Sequence, residues 1–350
     1  MADPPPQPVR PRPIIPVTGL VLAAGTAVVA LWFLYQISGA ILLLFFAAVV
    51  GIALSAPVQW FKRRGLSHRM AGTVTLLLFF GTILLLGWLV IPRLIAQIVS
   101  LVNGLPRFIV QIENQVAELL SNYPDLQHFV RLGGAGGDFA ATAVNLFAGV
   151  GAASLSLLGF IALMLIFFST IAYIVLDPKP IVQGYIGSLP YEHRAAGVRA
   201  YRRAARSVIG WARASLVVGA LQAIAVFVFL TLMEVPGALV WAALAFFADF
   251  IPRIGGYVMA FPPVVLALGQ SPMTAVWIAV FYAVSNEILG SVVAPKIRGA
   301  TMQLHPVLII FFTLAFALAF GLLGAIVAVP AAAFASAYYS EFYMKRPPAR

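Results

Sequence analysis

Five stretches of this chain, Val17 to Gln36, Ala40 to Trp60, Met70 to Ile91, Ala152 to Leu176 and Ser215 to Met233, contain no charged side chain. Each reaches roughly the 20 residues a helix needs to cross a bilayer core. They are spanning helices, and they limit the fold to an all-α polytopic membrane protein. Composition agrees: 62% of the residues are hydrophobic and 9% charged, against about half and about a quarter in soluble domains.

The net charge of +11 invites a nucleic-acid reading, but the basic residues sit in short segments between spans. Arg10 and Arg12 precede the first run, and Lys62, Arg63, Arg64 and Arg69 separate the second from the third. Lys179, Arg194, Arg199, Arg202, Arg203, Arg206 and Arg213 lie between the fourth and fifth. By the positive-inside rule this places the N-terminus, and with it the C-terminus, in the cytoplasm. The partner of the chain is the lipid bilayer and no nucleic acid is expected. The absence of cysteine removes disulfides, thiolate chemistry and zinc-thiolate sites. The proline-rich start MADPPPQPVRPRPIIP lacks a signal-peptide pattern and reads as a disordered cytoplasmic tail over 1–16.

Helices 1 to 3 occupy 17–92. Residues 93–150 break the membrane pattern with Glu113, Glu118, Asp125 and Asp138 among apolar positions at helical spacing, which predicts an extracytoplasmic amphipathic insert. That insert is either a packing or oligomer-contact element or a mobile lid. A fourth span covers 151–176. Over 177–213 a basic amphipathic helix is expected along the cytoplasmic interface, with Arg199, Arg202, Arg203 and Arg206 on one face. Residues 214–342 form a transport unit, and 343–350 a cytoplasmic tail.

Within 214–342 the apolar segments become short. Residues 236–251 and 255–268, at 1.5 Å per residue, reach only about 21 to 24 Å, less than a hydrocarbon core of about 30 Å. They meet at Pro252, Arg253, Gly255 and Gly256, where proline and glycine break a helix. Pro306 to Phe320 and Ala325 to Tyr339 flank a second break at Gly321 and Gly324, with Pro330 beyond. Between them Pro272 to Val293 makes one ordinary span. The expected architecture is about six full transmembrane helices plus two broken re-entrant hairpins of opposite orientation in the C-terminal half; fully spanning segments are the alternative.

Irregular backbone at membrane depth is tolerated where it is buried in protein or lines a cavity, and short interrupted segments of this kind point to a transporter's substrate site. Asp249 and Arg253 stand four apart, the spacing at which helical side chains meet. They form a structural ion pair, or Asp249 couples to substrate or protons. Gly255 and Gly256 expose backbone or permit close helix packing. Glu287, beside Asn286, is an intramembrane acid that either titrates or pairs helices. His305 before Pro306 caps a helix or relays protons.

At these residues the chain resembles the AI-2E family of autoinducer-2 exporter-like permeases, in DFIPRIGGYVMAFPPVVLAL (249–268), APKIRGATMQLHP (294–306) and GLLGAIVAVPAAA (321–333). The resemblance covers roughly 18–342. It implies a bacterial inner-membrane homopentamer in which the hairpin unit moves like an elevator, and either export of a furanone-type signal or sodium or lithium/proton antiport. It carries Asp249, Pro252, Gly255, Pro263, Pro295, His305, Pro306, Gly321, Gly324 and Pro330 over as pathway residues. The chain departs from the pattern at Arg253, where the family has an aromatic or polar residue, and at Glu287, which stands further from Pro295 than the family's acid.

The expected function is secondary transport of a small molecule or cation by alternating access; a channel-like or scaffold oligomer without active transport is the alternative. No phosphate loop for ATP is present, nor an HExxH or GxSxG motif, and the four histidines are scattered. No enzyme activity, cofactor or metal is therefore expected.

Overall fold

The computed structural model describes residues 17–119, 157–252, 254–298 and 305–344, all of it helices and the turns between them. The proline-rich tail, the glycine run at 133–137, Arg253 and residues 345–350 lie outside the described residues. Two compact units divide at Phe45 and Phe46. Helix α1 (Val17–Arg63) starts in the first, where Leu31, Trp32 and Leu34 are exposed apolar side chains, as a lipid-facing helix requires. The two runs expected as separate spans, 17–36 and 40–60, are joined in α1. Ile37, Ser38 and Gly39 contain nothing that ends a helix: the Ser38 hydroxyl donates to the Tyr35 carbonyl at 2.7 Å, and Gly39 keeps a negative φ. The chain turns instead at Gly65, with φ +95°, where a left-handed residue closes the helix.

Helix α2 (His68–Leu119) runs through Pro92, so the insert expected over 93–150 begins as a continuation of a span; its part from 120 to 150 lies outside the described residues. Helix α3 (Leu157–Leu176) packs on the first two through aromatic rings: Phe46 stacks on Phe167 at 5.2 Å and Phe80 meets Phe168 edge-on at 5.0 Å. Asp177 leaves the helical conformation and Pro178 begins α4 (Pro178–Gly187), bent 87° from α3. Helix α5 (Arg194–Leu232) then joins the basic segment to the fifth span in one rod. The boundary expected at 213/214 is not a break, because Ala212, Arg213 and Ala214 are good helix formers. The element set across the axis of a span is thus α4, and the arginine face belongs to the end of α5. Among the described residues five helices are long and apolar enough to cross a bilayer, six if the bent α3–α4 pair counts.

The C-terminal half comprises α6 (Ala238–Ala248), α7 (Gly255–Leu268), α8 (Pro272–Ile288), a π-helical turn at Leu289–Val293, α9 (Ala294–Arg298) and α10 (Pro306–Tyr339). At 1.5 Å per residue α6 and α7 extend only about 16 and 21 Å. Gln270 Nε2, just after α7, donates to the Glu234 carbonyl, just before α6, at 2.9 Å. The start of α6 and the end of α7 are therefore at the same level, and the pair is a hairpin. Its base is a core of Val226, Leu230, Trp241, Ala245, Leu266, Ile278 and Tyr282, with Phe229 stacked on Phe281 at 4.1 Å.

The N-terminal end of α5 is fastened to the C-terminal end of α10. Arg199 Nε donates to Glu341 Oε2 at 3.0 Å, with the carboxylate side chain only 4% exposed, and Arg203 Nη1 donates to Ser340 Oγ at 2.9 Å. The Tyr185 ring lies 6.2 Å from both Tyr201 and Tyr338. An ion in apolar surroundings tolerates loss of its counter-charge poorly, although the half-exposed Arg199 lessens the effect. Arg199→Ala is expected to destabilise the detergent-solubilised protein by roughly 1–3 kcal/mol, and Glu341→Gln by less. Thermal unfolding of the two variants checks this; the reverse order would show that the arginine contributes little.

Candidate functional site

The break after α6 is a compact turn whose backbone bonds are made within it. The Phe250 amide donates to the Phe247 carbonyl at 3.2 Å, Ile251 to Ala248 at 2.9 Å, Ile254 to Pro252 at 2.8 Å and Gly255 to Ile251 at 3.1 Å. Asp249 is half-buried at the end of α6, and Pro252 is half-buried in the turn. A β-carbon at Gly255 would collide with the Ala248 carbonyl oxygen. In a continuous helix these residues would lie about 10 Å apart, so the chain has folded back on itself, and only a glycine fits where it does.

The second break repeats the device. Gly321 adopts φ 65° and ψ −147° inside α10, a region open essentially to glycine alone. A β-carbon at Gly324 would collide with the Phe316 carbonyl oxygen, a residue that a straight helix would hold about 12 Å away. Counting about 1.5 Å per residue upward from the Arg203–Ser340 contact brings Gly321 to the height of Gln222 on α5. The end of α6 and the turn after it run along α5 in the other direction, from Gly219 to Trp211: Trp211 meets Phe250 edge-on at 5.8 Å, and a β-carbon at Gly219 would stand 2.7 Å from the Phe246 carbonyl oxygen.

Helix α8 supplies the facing wall. Gly256 lies against the Asn286 carboxamide so closely that a β-carbon there would strike Oδ1. Next to it Ser285 accepts from Gln222 Nε2 at 3.2 Å. Gln222 is fully buried and Tyr282 is 1% exposed. Trp211 Nε1, Ser215 Oγ, Gln222 Oε1, Tyr282 Oη and Asn286 Nδ2 are buried with no hydrogen-bond partner among the described residues. Buried polar atoms without a partner cost about 1–3 kcal/mol each, so their concentration along the facing helices α5 and α8 distinguishes this wall from an ordinary apolar core.

Of the expected site residues, the structure brings Gly256 and Asn286 into contact and places Asp249, Pro252 and Gly255 in the adjoining turn. Pro263 and Pro330 are buried within α7 and α10, and Gly324 is buried while Gly321 is exposed at the second break. Glu287 is exposed, about 100° around α8 from Asn286, and accepts from the Ser291 hydroxyl. Pro295 is exposed in α9. His305 caps α10, its Nδ1 accepting from the Val307 amide at 3.3 Å ahead of Pro306 at the first position. Arg253 lies outside the described residues. Gln222, Tyr282 and Ser285 escaped sequence reasoning because a lone amide or hydroxyl in an apolar run gives no periodic signal; the one available hint was an amide at the centre of the fifth span.

Comparison with known proteins follows the same outline. The family model described as AI-2E family transporter matches residues 22–344. "Putative transport protein MT0215" of Mycobacterium tuberculosis (strain CDC 1551 / Oshkosh) is 29% identical over 83% of this chain and 79% of its own length. "Putative transport protein YhhT" of Escherichia coli K12 is 22% identical over 84% and 82%. "AI-2 transport protein TqsA" of the same organism is 28% identical over 34% of each chain. With the match spanning both broken helices and the spans before them, this chain belongs to the AI-2E transporter family.

Proposed function

We propose that this membrane transporter works by secondary transport, carrying a small molecule or a cation across the bacterial inner membrane by alternating access about the two hairpins. The observation that carries the reading is the pair of glycine-sealed reversals at Gly255 and Gly324, the first packed on α5 at Trp211 and Gly219 and the second in a helix whose far end is fastened to the start of α5. Two broken elements that approach α5 from its two ends give a site that either element can uncover by moving. Asp249 is the charge at the first of them and the candidate for coupling. The topology has both termini in the cytoplasm, and the working form is a homopentamer, as the family resemblance implies; export of a signalling molecule and cation/proton exchange are both compatible with such a site. The name of the AI-2 transport protein TqsA favours a small molecule as the solute.

The chain has no cysteine, so single cysteines report on the two turns directly. Gly256 is unsuitable because the thiol would strike Asn286. Ile254 and Leu323, 43% and 45% exposed, are the better positions. Membrane-impermeant maleimide applied to oriented vesicles is expected to label each from one face, and the reactive face to exchange when a solute or pH gradient is imposed. Labelling that stays on one face under every gradient would remove alternating access and leave a passive pore or a scaffold.

A further inference from the structure

We infer that Gln222, Tyr282 and Asn286 form the solute subsite of this transporter, and that they select a neutral molecule bearing both hydrogen-bond donors and acceptors over a bare cation. The inference rests on the transport reading above and adds to it where the solute binds and which chemistry it presents.

Three observations carry it. The Gln222 carboxamide is fixed, its Nε2 donating to Ser285 Oγ at 3.2 Å, so its Oε1 is left as a buried acceptor without a partner. Tyr282 and Asn286 stand four apart on α8, the spacing that puts two side chains on one face, and each has an unpartnered buried polar atom, a hydroxyl and an amide N–H group respectively. Gly256 meets the Asn286 carboxamide, so the first hairpin reaches this wall at Asn286 with backbone alone. Isosteric apolar residues would serve a purely structural role better, since replacing an unmatched polar group with an apolar one of the same shape is close to neutral or stabilising.

The donor and acceptor character indicates the ligand. A dehydrated cation wants oxygen ligands all round, whereas Asn286 Nδ2 presents hydrogens and Gln222 Oε1 an oxygen. A hydroxylated neutral solute satisfies both, and a site built on such groups rejects analogues that lack them by leaving its own polar atoms unpaired.

The test uses Gln222→Met and Tyr282→Phe, which keep side-chain volume; in the first, Ser285 keeps its bond to the Tyr282 carbonyl at 3.3 Å. Purified full-length protein is melted with erythritol, with ribose, and with sodium or lithium chloride, and the same probes are followed as fluxes into proteoliposomes. Expected are a rise in melting temperature of the wild type with erythritol or ribose, its loss in both variants, an unliganded melting temperature as high as wild type or higher, and at least tenfold slower polyol flux. A cation-induced rise that both variants retain, without any polyol effect, would overturn the subsite while leaving transport intact. Variants that melt lower without ligand and move polyols normally would overturn it as well, by making the groups structural. Polyol binding that the variants abolish, with no flux of any probe, would sustain the subsite and count against the transport reading instead.

Discussion

Gly255→Leu and Gly324→Leu are each expected to abolish assembly of the C-terminal half, with at least a tenfold loss of monodisperse protein from detergent extracts. In both cases the atom a side chain would strike is a backbone carbonyl oxygen, of Ala248 and of Phe316, which cannot swing aside as a rotamer can. Overpacking a core where side chains can adjust costs about 1–3 kcal/mol; against a carbonyl that closes a hairpin, the upper end or more is expected. Gly321→Ala should cost about 1–3 kcal/mol for a different reason, the strain of a side chain at φ 65° and ψ −147°. Gly81→Ala, with nothing within 4 Å of the new carbon, is the control and should extract like wild type. Size-exclusion profiles of fluorescently tagged variants read all four. Normal profiles for the leucine variants would mean that the two reversals are not held as tightly as the structure has them.

Asp249→Asn is expected to leave assembly intact and to reduce solute flux in vesicles about a hundredfold, equivalent to about 2.7 kcal/mol at 1.36 per decade. Asparagine keeps the shape and most of the hydrogen bonding of the half-buried aspartate while removing the charge. A carboxylate at this depth disfavours insertion by on the order of 3 kcal/mol, which a scaffold would have no reason to sustain. Loss of assembly in this variant would make the acid structural, a partner for its neighbours in the turn. Unchanged flux would move the coupling role elsewhere in the chain.

The sequence is legible where one residue type dictates one local outcome. Uncharged runs of bilayer length declare spans, and short runs separated by proline and glycine declare breaks; both breaks stand where those signals put them. Boundaries were less legible. Ser38 and Gly39 read as a gap between two spans, yet a serine can bond to its own helix and a lipid-facing glycine can remain helical, so α1 continues. Arg213 read as the edge of an interfacial helix, yet an arginine within a helix-forming stretch does not stop it, and α5 continues as well. In each case the pattern of polarity changed while the backbone propensity did not.

The candidate site divides in the same way. Its depth and its turn chemistry, Asp249 to Gly256, are properties of consecutive residues and could be read from them. Its facing wall could not: Gln222 meets Ser285 across 63 residues, and Asn286 meets Gly256 from a neighbouring helix, while Glu287, the more conspicuous residue, turns outward one position away. By itself the sequence determined that this protein crosses a membrane as helices and that two of its apolar segments are broken, because hydrocarbon leaves the backbone few alternatives and proline and glycine interrupt a helix. Only the tertiary structure decided which glycines close the reversals, which amides and hydroxyls are buried unmatched beside them and which acid faces away, because side-chain partnership depends on which helix faces come together and on the rotation of each about its axis.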